Sequence, residues 1–159
     1  MKKKIFIAGI FLSTFSGFNP VFIKSILLTS AFAALPISVP LYASDRSDFY
    51  FNRAFNKSKK GDYDGAIKDY TKVIQINPKE ANAFYNRGIA KYNLNDYLGA
   101  IKDFTKSLEI NPDDKEAFYR RARAKEDNND YEAAIKDYEK AIKIDPNYAS
   151  AYLQIGYVY

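Results

Sequence analysis

The chain has 159 residues, 24 Lys and Arg against 19 Asp and Glu, and neither Cys, His nor Trp. Its length suits about one domain, and the missing residue types exclude thiolate nucleophiles, imidazole bases, disulfides, lipid attachment through Cys and Cys/His metal centres. The surplus of +5 does not describe a nucleic-acid surface: Lys2, Lys3, Lys4 and Lys24 lie in the first 43 residues, which hold no acid, and 20 basic and 19 acidic side chains remain from Ser44 onward. Phosphate binding needs concentrated positive charge, because its affinity comes largely from counterion release.

Residues 1–43 differ in character from the rest of the chain. A basic start leads into an apolar run from Ile5 to Phe18, interrupted at Asn19-Pro20, and a second uncharged stretch runs from Lys24 up to Asp45. Positive start, apolar stretch and small residues before a polar region make the pattern of a secretory signal. Pro36 and Pro40 are expected to break the second apolar helix and leave an extended stretch before Ala43, where a peptidase can cut; Ala31-Phe32-Ala33 is a second cleavage candidate. Two apolar blocks exceed what one signal needs, so a membrane tether over residues 5–43 is the alternative, although neither block reaches the roughly 20 clean residues of a span. Either way, the domain after Ser44 is expected outside the cytosol, in a periplasmic, lumenal or secreted location.

From residue 47 the chain repeats itself. "GDYDGAIKDY" at 61–70 returns as "NDYLGAIKDF" at 95–104 and "NDYEAAIKDY" at 129–138, a spacing of 34, and each copy leads to Asn77-Pro78, Asn111-Pro112 or Asp145-Pro146. The units are 47–80, 81–114 and 115–148, with a partial fourth repeat or capping helix at 149–159. Each holds two helical patterns, giving helices expected near 47–60, 63–76, 81–94, 97–110, 115–128 and 131–144, and a seventh from about Tyr148 to the end. Between the two helices, Gly61, Asn95 and Asn129 tolerate the left-handed backbone that ends a helix. Asp62, Asp96 and Asp130 come next, with carboxylates able to cap the second helix.

Packing positions recur as well. Tyr50, Phe84, Phe118 and Tyr152 are large, and four residues on stand the small Ala54, Gly88, Ala122 and Gly156. Ala66, Ala100 and Ala134 allow close approach, Tyr70, Phe104 and Tyr138 fill the space between hairpins, and Ile67, Ile101, Ile135, Ile74, Leu108 and Ile142 complete an apolar stripe. One hairpin cannot bury such a stripe alone; stacked neighbours can. Asp69, Asp103 and Asp137 recur at one helical position and are read as a surface feature repeated with the scaffold. "NKS" at Asn56 lies inside a helix and is read as a chance glycosylation sequon. The pair Asp62/Asp64 lacks the further ligands of a calcium loop.

With its period of 34 and the large-small-large-Pro pattern Phe84, Gly88, Tyr97, Ala100, Phe104 and Pro112, the region 47–159 resembles the tetratricopeptide repeat (TPR) family. The resemblance implies an all-α fold, a right-handed superhelical stack of TPR hairpins (an α-solenoid), acting as a protein-interaction scaffold with no catalytic residues, no metal and no cofactor. One departure is Lys57, Lys91 and Lys125, where the family often has apolar residues; their stems are expected to cover apolar surface while the ammonium reaches water.

In the family, the first helix of each hairpin lines a concave groove through positions two, five, six, nine, twelve and thirteen of the repeat. The partner-binding residues implied here are Phe51, Asn52, Phe55, Tyr85, Asn86, Ile89, Tyr92, Tyr119, Arg120 and Arg123, a mixture suited to an extended peptide. The opposing reading is that the position-five rings pack between helices. Family members that bind acidic chaperone tails use a Lys/Asn/Asn/Lys/Arg clamp; its places hold Phe51, Phe55, Asn86, Glu116 and Arg120 here. Two of five match, so that ligand is not implied.

The expected partner is therefore another protein or extended peptide, with no nucleic acid and no small-molecule substrate. The rival readings are an RNA-binding helical repeat, which a period of 35 and a basic groove would favour, an enzyme with chemistry hidden in the groove, and an assembly module. The last rests on the uncharged end "AYLQIGYVY". Tyr152, Ile155, Gly156 and Tyr159 are expected to cover the third repeat, leaving Leu153, Tyr157 and Val158 as a candidate C-terminal interface for self-association or docking.

Overall fold

The computed structural model describes residues 35–158, with side chains over 44–157. Seven helices succeed one another among them: α1 Leu35–Lys59, α2 Tyr63–Ile76, α3 Ala81–Asn93, α4 Tyr97–Ile110, α5 Lys115–Asp127, α6 Tyr131–Ile144 and α7 Ala149–Val158. The six expected helices are present within a residue or two at each end, except at the start of the first. Pro36 and Pro40 do not interrupt α1. Pro36 lies in the first turn, where an N–H has no intrahelical acceptor, and Pro40 removes a single backbone bond instead of ending the helix. The seventh helix begins at Ala149, one residue after Tyr148. The signal or tether expected at the chain's start, including Ala31-Phe32-Ala33, lies almost wholly outside the described residues. Among these residues no helix is long and apolar enough to cross a membrane.

The joint inside each hairpin forms as its residue types predict. Gly61, Asn95 and Asn129 have φ of 81°, 61° and 63°. The N–H of Asp62 then donates back to the Lys57 carbonyl at 3.0 Å, as Asp96 does to Lys91 and Asp130 to Lys125 at 2.9 and 2.8 Å. This six-residue closure satisfies carbonyls the helix end leaves free. The same Asp opens the next helix, accepting from the N–H three residues on, at 2.9 Å from Gly65, 2.9 Å from Gly99 and 3.3 Å from Ala133. The third contact is longer where alanine replaces glycine. A Cβ on Gly65 or Gly99 would stand about 2 Å from the capping carboxylate, which must retreat to admit it.

From α2 onward each helix packs on its neighbours in the chain, α3 also touches α5, and α1 joins α2 in a shared core of Ala54, Ala66, Tyr70 and Val73. The core is small residues around large rings. Ala54, Ala66, Ala83, Ala90, Ala100, Ala117, Ala122, Ala134 and Ala141 are fully buried, and Tyr70, Phe104 and Tyr138 fill the gaps between them. Gly88 shows how tight the fit is, since a Cβ there would lie 2.8 Å from the Phe104 ring. At the far end α7 covers the third repeat with Ala151, Ile155 and the preceding Tyr148. Tyr152 and Gly156 do not join them, contrary to expectation: Tyr152 is exposed, and nothing stands within 4 Å of where a Gly156 Cβ would be. Residues 148, 151 and 155 share one helical face, and positions 152 and 156 lie beside it, where earlier repeats present the hairpin's own second helix.

The recurring aspartates are corrected most sharply. Asp69, Asp103 and Asp137 are buried, not on the surface. Arg53, Arg87 and Arg121 each grip the Asp sixteen residues later through two nitrogens at 2.6–2.8 Å. Lys57, Lys91 and Lys125 add an ammonium to the same carboxylates at 3.0, 2.7 and 2.7 Å, so these lysines pair internally, with Lys57 the most open to water of the three. A carboxylate loses hydration on burial, and only partners held on another helix replace it. The arginines also join one repeat to the last: Arg87 Nη1 donates to Thr71 Oγ1 at 3.0 Å and Arg121 Nη1 to Thr105 Oγ1 at 3.1 Å. Arg53 has no preceding repeat, and its side chain is 41% exposed against 16% for Arg87 and 13% for Arg121.

These clusters give a stability prediction. Asp103→Ala leaves two cations facing each other in a closed site and should cost about 3 kcal/mol or more, with Asp69→Ala costing less because its cations reach water. Arg53 beside Asp69 holds that carboxyl well down, at about 2. A depressed folded value contributes stability that is complete above the unfolded value of about 4 and is lost as pH falls through about 2. Urea titrations of wild type and Asp69→Asn between those limits should show the wild type losing its advantage; parallel curves would refute the assignment.

Candidate functional site

The first helices α1, α3 and α5 carry the ten residues read as a groove. Positions 51, 85 and 119 are only partly available to a partner. Phe51 stands edge-on to Tyr70 with ring centres 5.5 Å apart, Tyr85 lies 5.8 Å from Phe104, and Tyr119 5.6 Å from Tyr138. All three are half-buried, so each ring seals its own hairpin with one edge and offers the rest outward. Asn52 is exposed, and Phe55 is 42% exposed beneath the Lys59 ammonium, 4.5 Å from the ring centre. Asn86 is half-buried and donates to the Asn82 carbonyl at 2.8 Å.

The second and third repeats bring four of the predicted residues together. Ile89, Tyr92, Arg120 and Arg123 line one pocket of about 110 Å³, joined by Asn93 and Phe104. Asn93 occupies position thirteen of its repeat, a groove position that the sequence could have supplied; Phe104 reads from sequence only as packing. Phe51, Asn52, Phe55, Tyr85, Asn86 and Tyr119 do not line it. At the other end, Leu153 and Tyr157 are exposed, at 57% and 73%, and the Val158 side chain lies outside the described residues.

Around this pocket the carboxylates of α5 are engaged by phenols. Tyr92 donates to Asp127 and Tyr138 donates to Glu126 at 2.6 Å. Burial, and then the nearby Glu116, push the Tyr148 phenol up. Burial, together with Asp127, pushes the Tyr92 phenol up to about 12, so it stays a neutral donor. Tyr85 is also raised by burial, with the nearby Arg120 opposing part of the effect. Arg123 Nη2 makes a long contact to the Tyr92 oxygen at 3.5 Å, and its Nε is buried without a hydrogen-bond partner. The closest carboxylate, Glu126, is 4.0 Å from that Nε, beyond hydrogen-bond reach.

This arrangement of stacked hairpins agrees with the comparisons. A model of the TPR repeat matches residues 58–95 and 123–159, and two further tetratricopeptide repeat models match 81–114 and 104–136. The chain belongs to the tetratricopeptide repeat family and is a non-enzymatic protein-interaction scaffold. No curated protein sequence matches it. Among solved structures it is similar to the first TPR of Spaghetti (RPAP3) bound to an HSP90 peptide, with 27% identity, a TM-score of 0.70, and coverage of 72% of this chain and 91% of that one. It is similar to the TPR2B domain of yeast Sti1 in a complex with pHsp70, at 26% identity and a TM-score of 0.64, over 72% and 93% of the two chains. MamA is 28% identical, with a TM-score of 0.69 over 73% of this chain and 63% of that chain.

The three rings at one repeat position generate a paired test. The Tyr70 hydroxyl is buried with no partner, whereas Tyr138 reaches Glu126, and Phe104 holds the same place with no hydroxyl at all. Tyr70→Phe should therefore leave stability unchanged or raise it by about 1 kcal/mol, while Tyr138→Phe should lower it by about 1–2 kcal/mol. Denaturant midpoints at equal slope measure both; equal losses would show that Tyr70 has a bonding partner.

Proposed function

We propose that this scaffold acts outside the cytosol as an adaptor, holding an extended peptide or protein segment along the first-helix face of its hairpins. The observation that carries this reading is the division of labour on each first helix. One face is used up internally by the Arg–Asp–Lys clusters, while the other presents Asn52, Phe55, Tyr85, Asn86, Ile89, Tyr92, Arg120 and Arg123, with rings and hydrogen-bonding groups still available. Aromatic surface supplies apolar contact, and Asn and Arg supply bonds to a peptide backbone. The TPR domains described as bound to HSP90 and HSP70 peptides support a peptide partner. Departure at three of five clamp places, Phe51, Phe55 and Glu116, argues for a different peptide from theirs. A second reading, docking through the end of α7, is favoured by the exposure of Leu153 and Tyr157.

Export rests on the signal pattern of residues 1–43. The mature chain should then begin near Ser44 in an extracytosolic fraction. N-terminal sequencing after cell fractionation checks this: an intact Met1 in the membrane fraction would replace cleavage by a tether, and an intact soluble cytosolic chain would refute both.

For the groove, Phe55→Ala removes an exposed ring without opening the core, and hot-spot truncations commonly cost about 2 kcal/mol or more. Capture of the native partner from envelope fractions by immobilised protein should fall roughly tenfold or more with this variant at unchanged helix content. Capture that survives Phe55→Ala and fails with Leu153→Ser would move the interface to α7.

A further inference from the structure

Helix α5 carries two sets of cations, and they have different fates. Arg121 and Lys125 point to the hidden side and share Asp137. Arg120 and Arg123 are three residues apart, which places them on one face, and both line the pocket between α3 and α5. Neither has a carboxylate of this chain in hydrogen-bond contact among the described residues. Glu126 and Asp127 accept from Tyr138 and Tyr92, and Glu126 stops 4.0 Å short of Arg123. The Tyr138 and Tyr92 phenols thus occupy Glu126 and Asp127 in place of the two arginines.

The opposite wall of the pocket is apolar, made by Ile89 and Phe104, and Tyr92 and Asn93 stand at its polar rim. Such a pocket suits a side chain with a hydrocarbon stem and a singly charged carboxylate tip. We propose that it is a glutamate-binding pocket, receiving one glutamate side chain of the partner segment. Its two methylenes lie against Ile89 and Phe104, and its carboxylate takes donors of Arg120 and Arg123 that no carboxylate of this chain occupies among the described residues. A guanidinium holds a planar carboxylate through two parallel bonds, a geometry that also fixes the partner's register. A doubly charged phosphate fits less well, because Glu126 and Asp127 remain close enough to repel it. Asparagine or an uncharged apolar side chain would leave the guanidiniums desolvated without an anion, the costly half of a broken ion pair.

This assignment rests on the groove reading above, and the test separates the two. The probe is a phage-displayed library of short random peptides, selected on the immobilised full-length chain. Enriched peptides should share a glutamate at fixed distance from an apolar or aromatic residue, and replacing that glutamate by glutamine should weaken the synthetic peptide by about tenfold or more. The gap between the glutamate and glutamine peptides should shrink on Arg120→Gln, an exposed position where folding is not at risk, and on Arg123→Lys, which keeps the charge and loses the fork. Enrichment without an acidic preference, or a gap unchanged in both variants, overturns the glutamate pocket while leaving the groove in place. Failure of any peptide to enrich on the wild-type chain overturns both.

Discussion

A carboxylate buried between helices organises this molecule. In each repeat one Asp on the second helix meets an Arg and a Lys from the first helix, at positions sixteen and twelve residues earlier. The Arg and Lys are four residues apart, so one helical face carries both. A buried ion cluster is a weak source of net stability, since desolvation offsets most of the Coulomb gain. What it supplies here is geometry. Arg87 uses Nε and Nη2 on Asp103 and Nη1 on Thr71, so one planar group touches its own hairpin and the one before it. Sliding this hairpin by one helical turn, about 5.4 Å, against the one before it would break the Thr71 bond, while the two bonds to Asp103 hold the Arg87 guanidinium in place within its own hairpin.

The groove depends on the same arrangement. Turning the Arg–Lys face inward leaves the remaining sides of each first helix to the outside, and the position-five ring lies at the border between them. Phe51, Tyr85 and Tyr119 are half-buried for that reason, each sealing against the ring of its own second helix. The chain of arginine links ends at the third repeat. Glu139 stands where the earlier repeats have Thr71 and Thr105, and Ile155 stands where they have Arg. Among the described side chains, helix α7 therefore docks by apolar contact through Ala151 and Ile155, next to Tyr148, leaving Tyr152, Leu153 and Tyr157 uncovered.

Much of the local design is legible in the sequence. Left-handed Gly61, Asn95 and Asn129, the capping Asp62, Asp96 and Asp130, and the small-large pairs all act within one hairpin, where sequence spacing translates directly into distance. Asp69, Asp103 and Asp137 mislead because recurrence every 34 residues looks the same for a solvated charge and a buried one. The signal that corrects this is the matching recurrence of Arg53, Arg87 and Arg121 with Lys57, Lys91 and Lys125, opposite charges at constant offset. Arg120 and Arg123 are recognisable as groove cations, but their lack of a carboxylate partner among the described residues is not, since it depends on Tyr92 and Tyr138 from two other parts of the chain.

The sequence alone determined the period, the helix hairpins and the joints between them, because caps, left-handed turns and helical periodicity are settled by residues a few positions apart. Tertiary structure alone decided which charges disappear into the stack and which remain for a partner. Burial is a property of neighbours: Asp103 loses its water to Arg87 and Lys91 on another helix, and Arg123 keeps a buried unpaired Nε because phenols have already taken the nearest carboxylates. Spacing along the chain carries no record of that competition until the helices are placed side by side.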